Sequence, residues 1–358
     1  MAANTRVLIV DDSAVVRKLI GDALRKEPGI DVVGGAADPY IARDLILQFK
    51  PDVITLDIEM PRMDGLTFLK KLMAHHPLPV IVVSSVTQSG SVASVEALRS
   101  GALDVIAKPG GPHSVGFVTE RIIQAIRGLR ASPGVRLRPA AEPAAAVAVK
   151  PAAAVPGLAS RRASGLIVIG ASTGGTQAIE TILTRLPADI PPILIVQHMP
   201  AHFTKAFAQR LDQVCAMHVV EATHNQAVER GTAYIAPGDY HMEVVRYGVQ
   251  LRTSLNQRGP VHHQRPAVDI LFESAARLTS VPTVALILTG MGADGADGMV
   301  LLRKAGAETV AEDEQSCVVF GMPKEAIARG GAKHVCTLLG MPPMIFECFD
   351  RLAGKQVA

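Results

Sequence analysis

Leu166-Ile167-Val168-Ile169-Gly170-Ala171-Ser172-Thr173-Gly174-Gly175 runs bulky apolar residues straight into a turn of small ones, with Ser172 set among them. Consecutive branched aliphatics read as a strand buried on both faces, the kind found inside a parallel sheet. Glycines where such a strand turns into a helix permit positive φ and let a ligand come close to the backbone. The helix N-terminus then aims free N–H groups at whatever binds there. Two chemistries fit this turn. One is a phosphate cradle; the other is an activated serine whose oxyanion is held by the same N–H groups.

The chain of 358 residues is long enough for two domains that each bury a core. A net charge of +3 and 4% aromatic residues argue against a nucleic-acid surface or a base-stacking platform, so no nucleic-acid partner is expected. Cys215, Cys317, Cys336 and Cys348 stand far apart with no Cys-x-x-Cys pair, which argues against a disulfide framework or a structural zinc site and favours reduced cytosolic thiols. No apolar run approaches the ~18 residues of a membrane span. A cytoplasmic protein without membrane insertion is expected.

Between Ala131 and Arg162 the composition shifts to alanine and proline, Glu142 is the only acid, and prolines recur at 133, 139, 143, 151 and 156. Repeated proline stops helix growth despite the alanine, so residues 131–162 read as a semi-flexible linker, either a passive spacer or a regulatory one. A flexible chain of that length spans roughly 30 Å. Before it, strands are expected at Val7 to Val10, Val32 to Gly34, Val53 to Leu56, Val80 to Val83 and Val105 to Ala107, with amphipathic helices between them. After it, strands are expected at Leu166 to Ile169, Ile193 to Val196, His218 to Val220, Ala233 to Ile235 and Val284 to Leu288. Met242 to Val245 and Val249 to Arg252 flank Tyr247-Gly248 as a hairpin expected at a sheet edge. Strand–helix alternation predicts two α/β domains with mainly parallel sheets, each with its ligand site at the strands' carboxyl ends.

In the first domain, Asp11 and Asp12 follow the first strand, Asp57 ends the third, Ser84 the fourth and Lys108 the fifth, so all five converge on one edge. Carboxylates gathered this way repel one another unless a hard divalent cation joins them, and Mg²⁺ suits a small all-oxygen site. With the cation and the Lys108 ammonium neutralising an incoming phosphoryl group, Asp57 becomes the acceptor of an acyl phosphate. Helix capping explains Asp11 or Asp12 singly but not all five positions. Asp57-Ile58-Glu59-Met60-Pro61-Arg62-Met63-Asp64-Gly65, with Asp11-Asp12 and Lys108-Pro109, resembles the receiver domain of two-component response regulators over residues 5–128. The resemblance implies a five-stranded flavodoxin-like fold and phosphorylation of Asp57 by a histidine kinase. It also implies Mg²⁺ held by Asp12, Asp57 and the Glu59 backbone beside Asp11, with Ser84 and Lys108 as the phosphoryl switch. Val105 departs from the pattern, standing where many receivers carry a switch aromatic.

In the second domain, Gly170-Ala171-Ser172-Thr173-Gly174 satisfies G-x-S-x-G, but the hydrolase elbow of that form needs an acid and then a histidine downstream. Here the order is reversed. His198 lies just beyond the second strand and Asp294 just beyond a late one, so Ser172, His198 and Asp294 all fall at strand carboxyl ends and can form a triad. His241, His262 and His263 lie in or beside the hairpin and a Gly-Pro loop, where no strand end presents them to Ser172. The cradle weakens because no Gly-Lys-Ser/Thr follows the glycines.

Residues 164–352 resemble the catalytic domain of chemotaxis protein-glutamate methylesterases, through Gly170 to Gly175, Gln197-His198-Met199-Pro200 and Met291-Gly292-Ala293-Asp294-Gly295. The resemblance implies that Ser172 attacks the γ-carbonyl of methylated glutamates on methyl-accepting chemotaxis receptors. It further implies deamidation of receptor glutamines and no cofactor for the hydrolysis, with backbone N–H groups near Thr173 and Met291 as oxyanion donors. A tethered receiver at an effective concentration on the order of millimolar would mask the serine edge even with weak docking, making phosphorylation a gate. The competing readings are a receiver-controlled α/β adaptor without hydrolase activity, an esterase serving a non-chemotactic array, and a transcriptional regulator. The last would need a compact helical DNA-binding module that residues 164–358 do not offer.

Overall fold

In the computed structural model the described residues are 4–85, 87–108, 115–131 and 165–355. Past Ala131, the expected linker lies outside them, as does Pro109. The chain divides into two compact units between positions 144 and 145.

The N-terminal unit runs β1 (Thr5–Val10), α1 (Ala14–Leu24), β2 (Ile30–Ala36), α2 (Pro39–Phe49), β3 (Val53–Leu56), α3 (Gly65–His75), β4 (Val80–Ser84), α4 (Gln88–Arg99), β5 (Asp104–Ala107) and α5 (Val115–Ala131). Its parallel strands lie in the order β2-β1-β3-β4-β5, the flavodoxin-like winding in which ligands bind at the carboxyl edge. Ser13, Asp38 and Asp64 cap α1, α2 and α3 through their side chains, so the loops after β1, β2 and β3 end in the residue types that accept from a first helical turn. Gly65 is obligatory, since a Cβ there would lie 2.0 Å from the Asp57 carbonyl oxygen.

The C-terminal unit runs β6 (Leu166–Ala171), α6 (Gly175–Leu183), β7 (Ile193–Gln197), α7 (Phe203–Val214), β8 (His218–Glu221), β9 (Thr232–Ile235), β10 (His241–Tyr247), β11 (Gln250–Asn256), α8 (Val268–Ala276), β12 (Thr283–Ile287), α9 (Ala296–Lys304), β13 (Glu308–Glu312), α10 (Met322–Ala328), β14 (His334–Cys336) and α11 (Met341–Lys355). Seven strands pair in parallel in the order β14-β13-β12-β6-β7-β9-β8. Every residue of β6 and β7 is buried, as their continuous aliphatic runs require. The chain winds outward from β6 through β7, then returns to lay β12 on the other flank of β6. The switch point of the sheet therefore falls at the end of β6, beside Ser172.

Two features differ from expectation. The hairpin forms a two-stranded sheet of its own rather than extending the edge of the large sheet, because Met242 and Val244 turn inward with Leu251 and Leu255 onto the core shared with α8. Its turn is Gly248-Val249, one residue later than the pattern indicated, with Gly248 at φ +60°. Strands β13 and β14 carry no apolar run: β13 begins and ends on glutamate, and β14 is three residues long.

At Gly170 the β6 backbone meets α8 so closely that a Cβ would lie 2.2 Å from Val268 Cγ1. Gly170→Ala is expected to destabilise the C-terminal unit by about 1–3 kcal/mol through overpacking, read from the denaturant midpoint. Gly259→Ala in the same unit, with nothing within 4 Å of the added carbon, is expected to leave it unchanged.

Candidate active site

Three neighbouring strands deliver the expected residues to one edge. Ala171 pairs with Gln197 in the β6–β7 ladder, so Ser172 and His198 are the next residues out on adjacent strands. The His198 N–H donates to the Ala171 carbonyl at 3.1 Å, and the Ser172 N–H donates to the Thr289 carbonyl at 3.0 Å, just past β12. Ser172 is 8% exposed.

His198 Nε2 lies 2.7 Å from Asp294 Oδ2, both side chains buried. The Asp294 carboxylate also sits at the N-terminus of α8, accepting from the Val268 N–H on Oδ2 at 2.7 Å and from the Asp269 N–H on Oδ1 at 2.9 Å. The helix begins on Ala267 with no side-chain cap of its own, so Asp294 supplies one from across the fold. Burial pushes the Asp294 carboxyl up, but the His198 ring and the two amides outweigh it and hold the group below the usual carboxylate value of 3.8.

Asp269 returns the arrangement one helix on. Its Oδ1 accepts from the Gly298 N–H in the first turn of α9 at 2.7 Å, while Oδ2 meets His262 Nε2 at 3.0 Å. Burial first, then the neighbouring Asp294 charge, raises the Asp269 carboxyl. His262 thus comes closer to the site than its loop position indicated, its ring within 4.8 Å of both carboxylates. His241 is fully buried and holds the loop before α8, accepting from the Ala267 N–H at 3.2 Å and meeting the Gly259 carbonyl at 3.1 Å.

The turn after β6 is held from behind. Gly174 adopts φ +79°, and a Cβ on Gly290 would lie 2.7 Å from Ser172 Cβ. Gln197 Nε2 donates to the Ser172 carbonyl at 2.9 Å, and Thr289 Oγ1 donates to the Thr173 carbonyl at 2.9 Å. The Thr289 N–H in turn donates to Glu312 Oε2 at 2.8 Å. Met291, two residues beyond Thr289, follows a Gly290 carbonyl that accepts from the N–H groups of Gly321 and Met322. Asp269, Thr289 and Glu312 were not singled out from the sequence. Asp269 sits on the buried face of the amphipathic α8 and Glu312 at the end of a strand without an apolar run, and the partners of both are distant in the chain.

In the N-terminal unit, the carboxylates of Asp11, Asp12 and Asp57 gather within 4.8 Å of one another. Lys108 Nζ lies 2.7 Å from Asp57 Oδ2 and 3.0 Å from Asp11 Oδ2. Burial pushes Asp57 up to about 6 against the pull of Lys108. Burial would lower the Lys108 ammonium, but the two carboxylates outweigh it and raise it. The Glu59 N–H donates to Asp57 Oδ1 at 3.2 Å, and the buried Ser84 hydroxyl has no hydrogen-bond partner among the described residues. An all-oxygen set of two buried carboxylates and one exposed one fits a hard, partly hydrated Mg²⁺. Val105, an aliphatic side chain in β5, is buried in the core.

A family model described as CheB methylesterase matches residues 167–345, and one described as response regulator receiver domain matches residues 7–115. The chain is 49% identical over 338 residues to "Protein-glutamate methylesterase/protein-glutamine glutaminase 2" of Syntrophus aciditrophicus (strain SB), covering 94% of this chain and 96% of that protein. It is 50% identical over 340 residues to "Protein-glutamate methylesterase/protein-glutamine glutaminase 1" of Cupriavidus metallidurans, covering 94% of each. The crystal structure of the Thermotoga maritima CheB methylesterase catalytic domain aligns at TM-score 0.50 with 40% identity, covering 51% of this chain and 98% of that one.

Asp294→Ala leaves two α8 amides without their acceptor and is expected to lower stability by about 1–3 kcal/mol. A carboxyl held below 3.8 stabilises the fold above that pH and loses its contribution as the pH falls through the folded value. The gap between wild type and Asp294→Ala is therefore full at neutral pH and closes on acidification, as urea midpoints measured along a pH series will show.

Proposed function

The chain belongs to the CheB methylesterase family, with a response-regulator receiver ahead of its catalytic half, and we infer that it is a phosphorylation-controlled protein-glutamate methylesterase and protein-glutamine glutaminase. The observation that carries the reading is the buried 2.7 Å contact of His198 with Asp294, one strand away from Ser172 at the sheet's switch point.

Because Nε2 of His198 faces Asp294, the ring's other nitrogen, Nδ1, is the one left to take a proton from Ser172. Asp294 selects the tautomer that makes Nδ1 basic and stabilises the imidazolium that follows, without taking the proton itself. The Ser172 oxygen adds to the γ-carbonyl of a methylated glutamate, and the imidazolium returns the proton to the departing methanol. Water then repeats the sequence on the acyl-enzyme to release glutamate. A glutamine amide passes through the same tetrahedral geometry and loses ammonia. The N–H groups of Thr173 and Met291 are the proposed oxyanion donors, and one such donor is worth about 10²–10³ in rate. Thr289 supports both, bonding the Thr173 carbonyl directly and preceding Met291 by two residues.

In the receiver, Asp57 is the proposed phosphoryl acceptor, with Lys108 already against its carboxylate and Ser84 presenting an unpartnered hydroxyl. Asp11, Asp12, Asp57 and the Glu59 backbone are the groups that would hold Mg²⁺, whose charge offsets that of the phosphoryl oxygens. The partners this reading requires are a histidine kinase and methyl-accepting chemotaxis receptors. No helix among the described residues is long and apolar enough to cross a membrane, in keeping with work in the cytoplasm on the receptors' inner ends.

Methanol release from methyl-esterified receptor is the test. Ser172→Ala is expected to reduce it by at least about 10³-fold, and equal release from wild type and Ser172→Ala would sink the reading. Adding a small phosphodonor with Mg²⁺ is expected to raise the wild-type rate and to leave Asp57→Asn at its basal rate. Identical stimulation of both proteins would remove Asp57 from the gate.

A further inference from the structure

We propose that Glu312 is a positioning residue for the nucleophile turn and that it serves in its protonated form. The inference rests on the esterase reading above and concerns how that site is held.

Glu312 closes β13 at the carboxyl edge of the sheet and is 0% exposed. Oε2 accepts from the Thr289 N–H at 2.8 Å. Thr289 is the hub of the turn: its carbonyl accepts from the Ser172 N–H, and its hydroxyl donates to the Thr173 carbonyl while accepting from the Val319 N–H at 2.9 Å. A carboxyl on β13 thus fixes one residue on β12's exit, and that residue fixes Ser172 and Thr173 on β6's exit. The other carboxyl oxygen, Oε1, is buried and has no partner at full hydrogen-bond geometry among the described residues, with the Ser316 hydroxyl and the Cys317 thiol as the nearby side-chain donors.

The titratable groups facing Glu312 are Asp313 on its own strand, Cys317 in the following turn and Cys336 opposite it on β14. None of these supplies positive charge. A fully buried carboxylate with no cation beside it, held by one amide and by the weaker side-chain donors of Ser316 and Cys317, is unfavourable, whereas the neutral acid keeps the Thr289 bond and removes the charge. Burial, reinforced by the Asp313 charge, accordingly pushes the group up to about 7.

The proton matters to catalysis because of where the charge would lie. The addition step builds negative charge on the substrate oxygen at the end of β6, held by N–H groups that Thr289 supports. An ionised Glu312 behind that backbone would oppose the developing oxyanion through a dry interior, where electrostatic effects are strong. The protonated acid performs the positioning without that opposition.

The test is the pH profile of kcat for methanol release by full-length wild type, Glu312→Gln, Glu312→Ala and Ser172→Ala, from about pH 5.5 to about pH 9. Wild type is expected to lose activity on the alkaline side, by about tenfold per pH unit once most of the group is ionised. Glu312→Gln, which keeps an acceptor for the Thr289 N–H but cannot ionise, is expected to lack that limb. Glu312→Ala is expected to be impaired at every pH. Difference infrared titration of wild type should show a protonated carboxyl band that persists to near neutrality and is absent from Glu312→Gln. An alkaline limb unchanged in Glu312→Gln, or no such band, overturns the proposal. Undiminished release by Ser172→Ala would instead overturn the esterase reading, so the two failures are separable.

Discussion

Asp294 carries a negative charge in the interior, and the catalytic half is organised by how that charge is held. Two amides at the start of α8 and the His198 ring surround it, so the carboxylate is at once a helix cap and the partner that orients an imidazole. Leaving such a charge buried without those donors would be strongly unfavourable. The positions of α8, of the loop after β12 and of His198 are therefore coupled. Asp269 extends the coupling by capping α9 from the first turn of α8, which makes the two helices hold each other's N-termini.

The receiver handles the same difficulty with opposite means. Its buried Asp57 and Asp11 have a cation, Lys108, within 3.0 Å, instead of a helix terminus. The helix terminus and the imidazole hold the Asp294 carboxyl below its usual value, while burial raises that of Asp57 to about 6 despite Lys108.

Much of this was legible before any coordinates. Strand-end placement of Asp11, Asp57, Ser84 and Lys108 follows from short aliphatic runs ending on polar residues, because a parallel sheet sends all such ends to one edge. The same logic sent Ser172, His198 and Asp294 to one edge from strands widely separated in the chain, where His198 and Asp294 meet. The hairpin's antiparallel character was readable from its turn, but not that it would pack on α8 as a separate sheet. Strands β13 and β14 escaped notice because β13 begins and ends on buried glutamates and β14 is three residues long, so neither offers an apolar run for periodicity to register.

The sequence by itself determined the two α/β domains, the edge at which each candidate site lies and the residue types gathered there, since these depend on local patterns and on the direction of strands. Only the tertiary structure decided which nitrogen of His198 faces Asp294, that this carboxylate caps α8, that His262 stands beside it, and that Glu312 reaches Thr289 behind the serine turn. Those are contacts between segments distant in sequence, set by how helices and strands pack, and no local pattern encodes them.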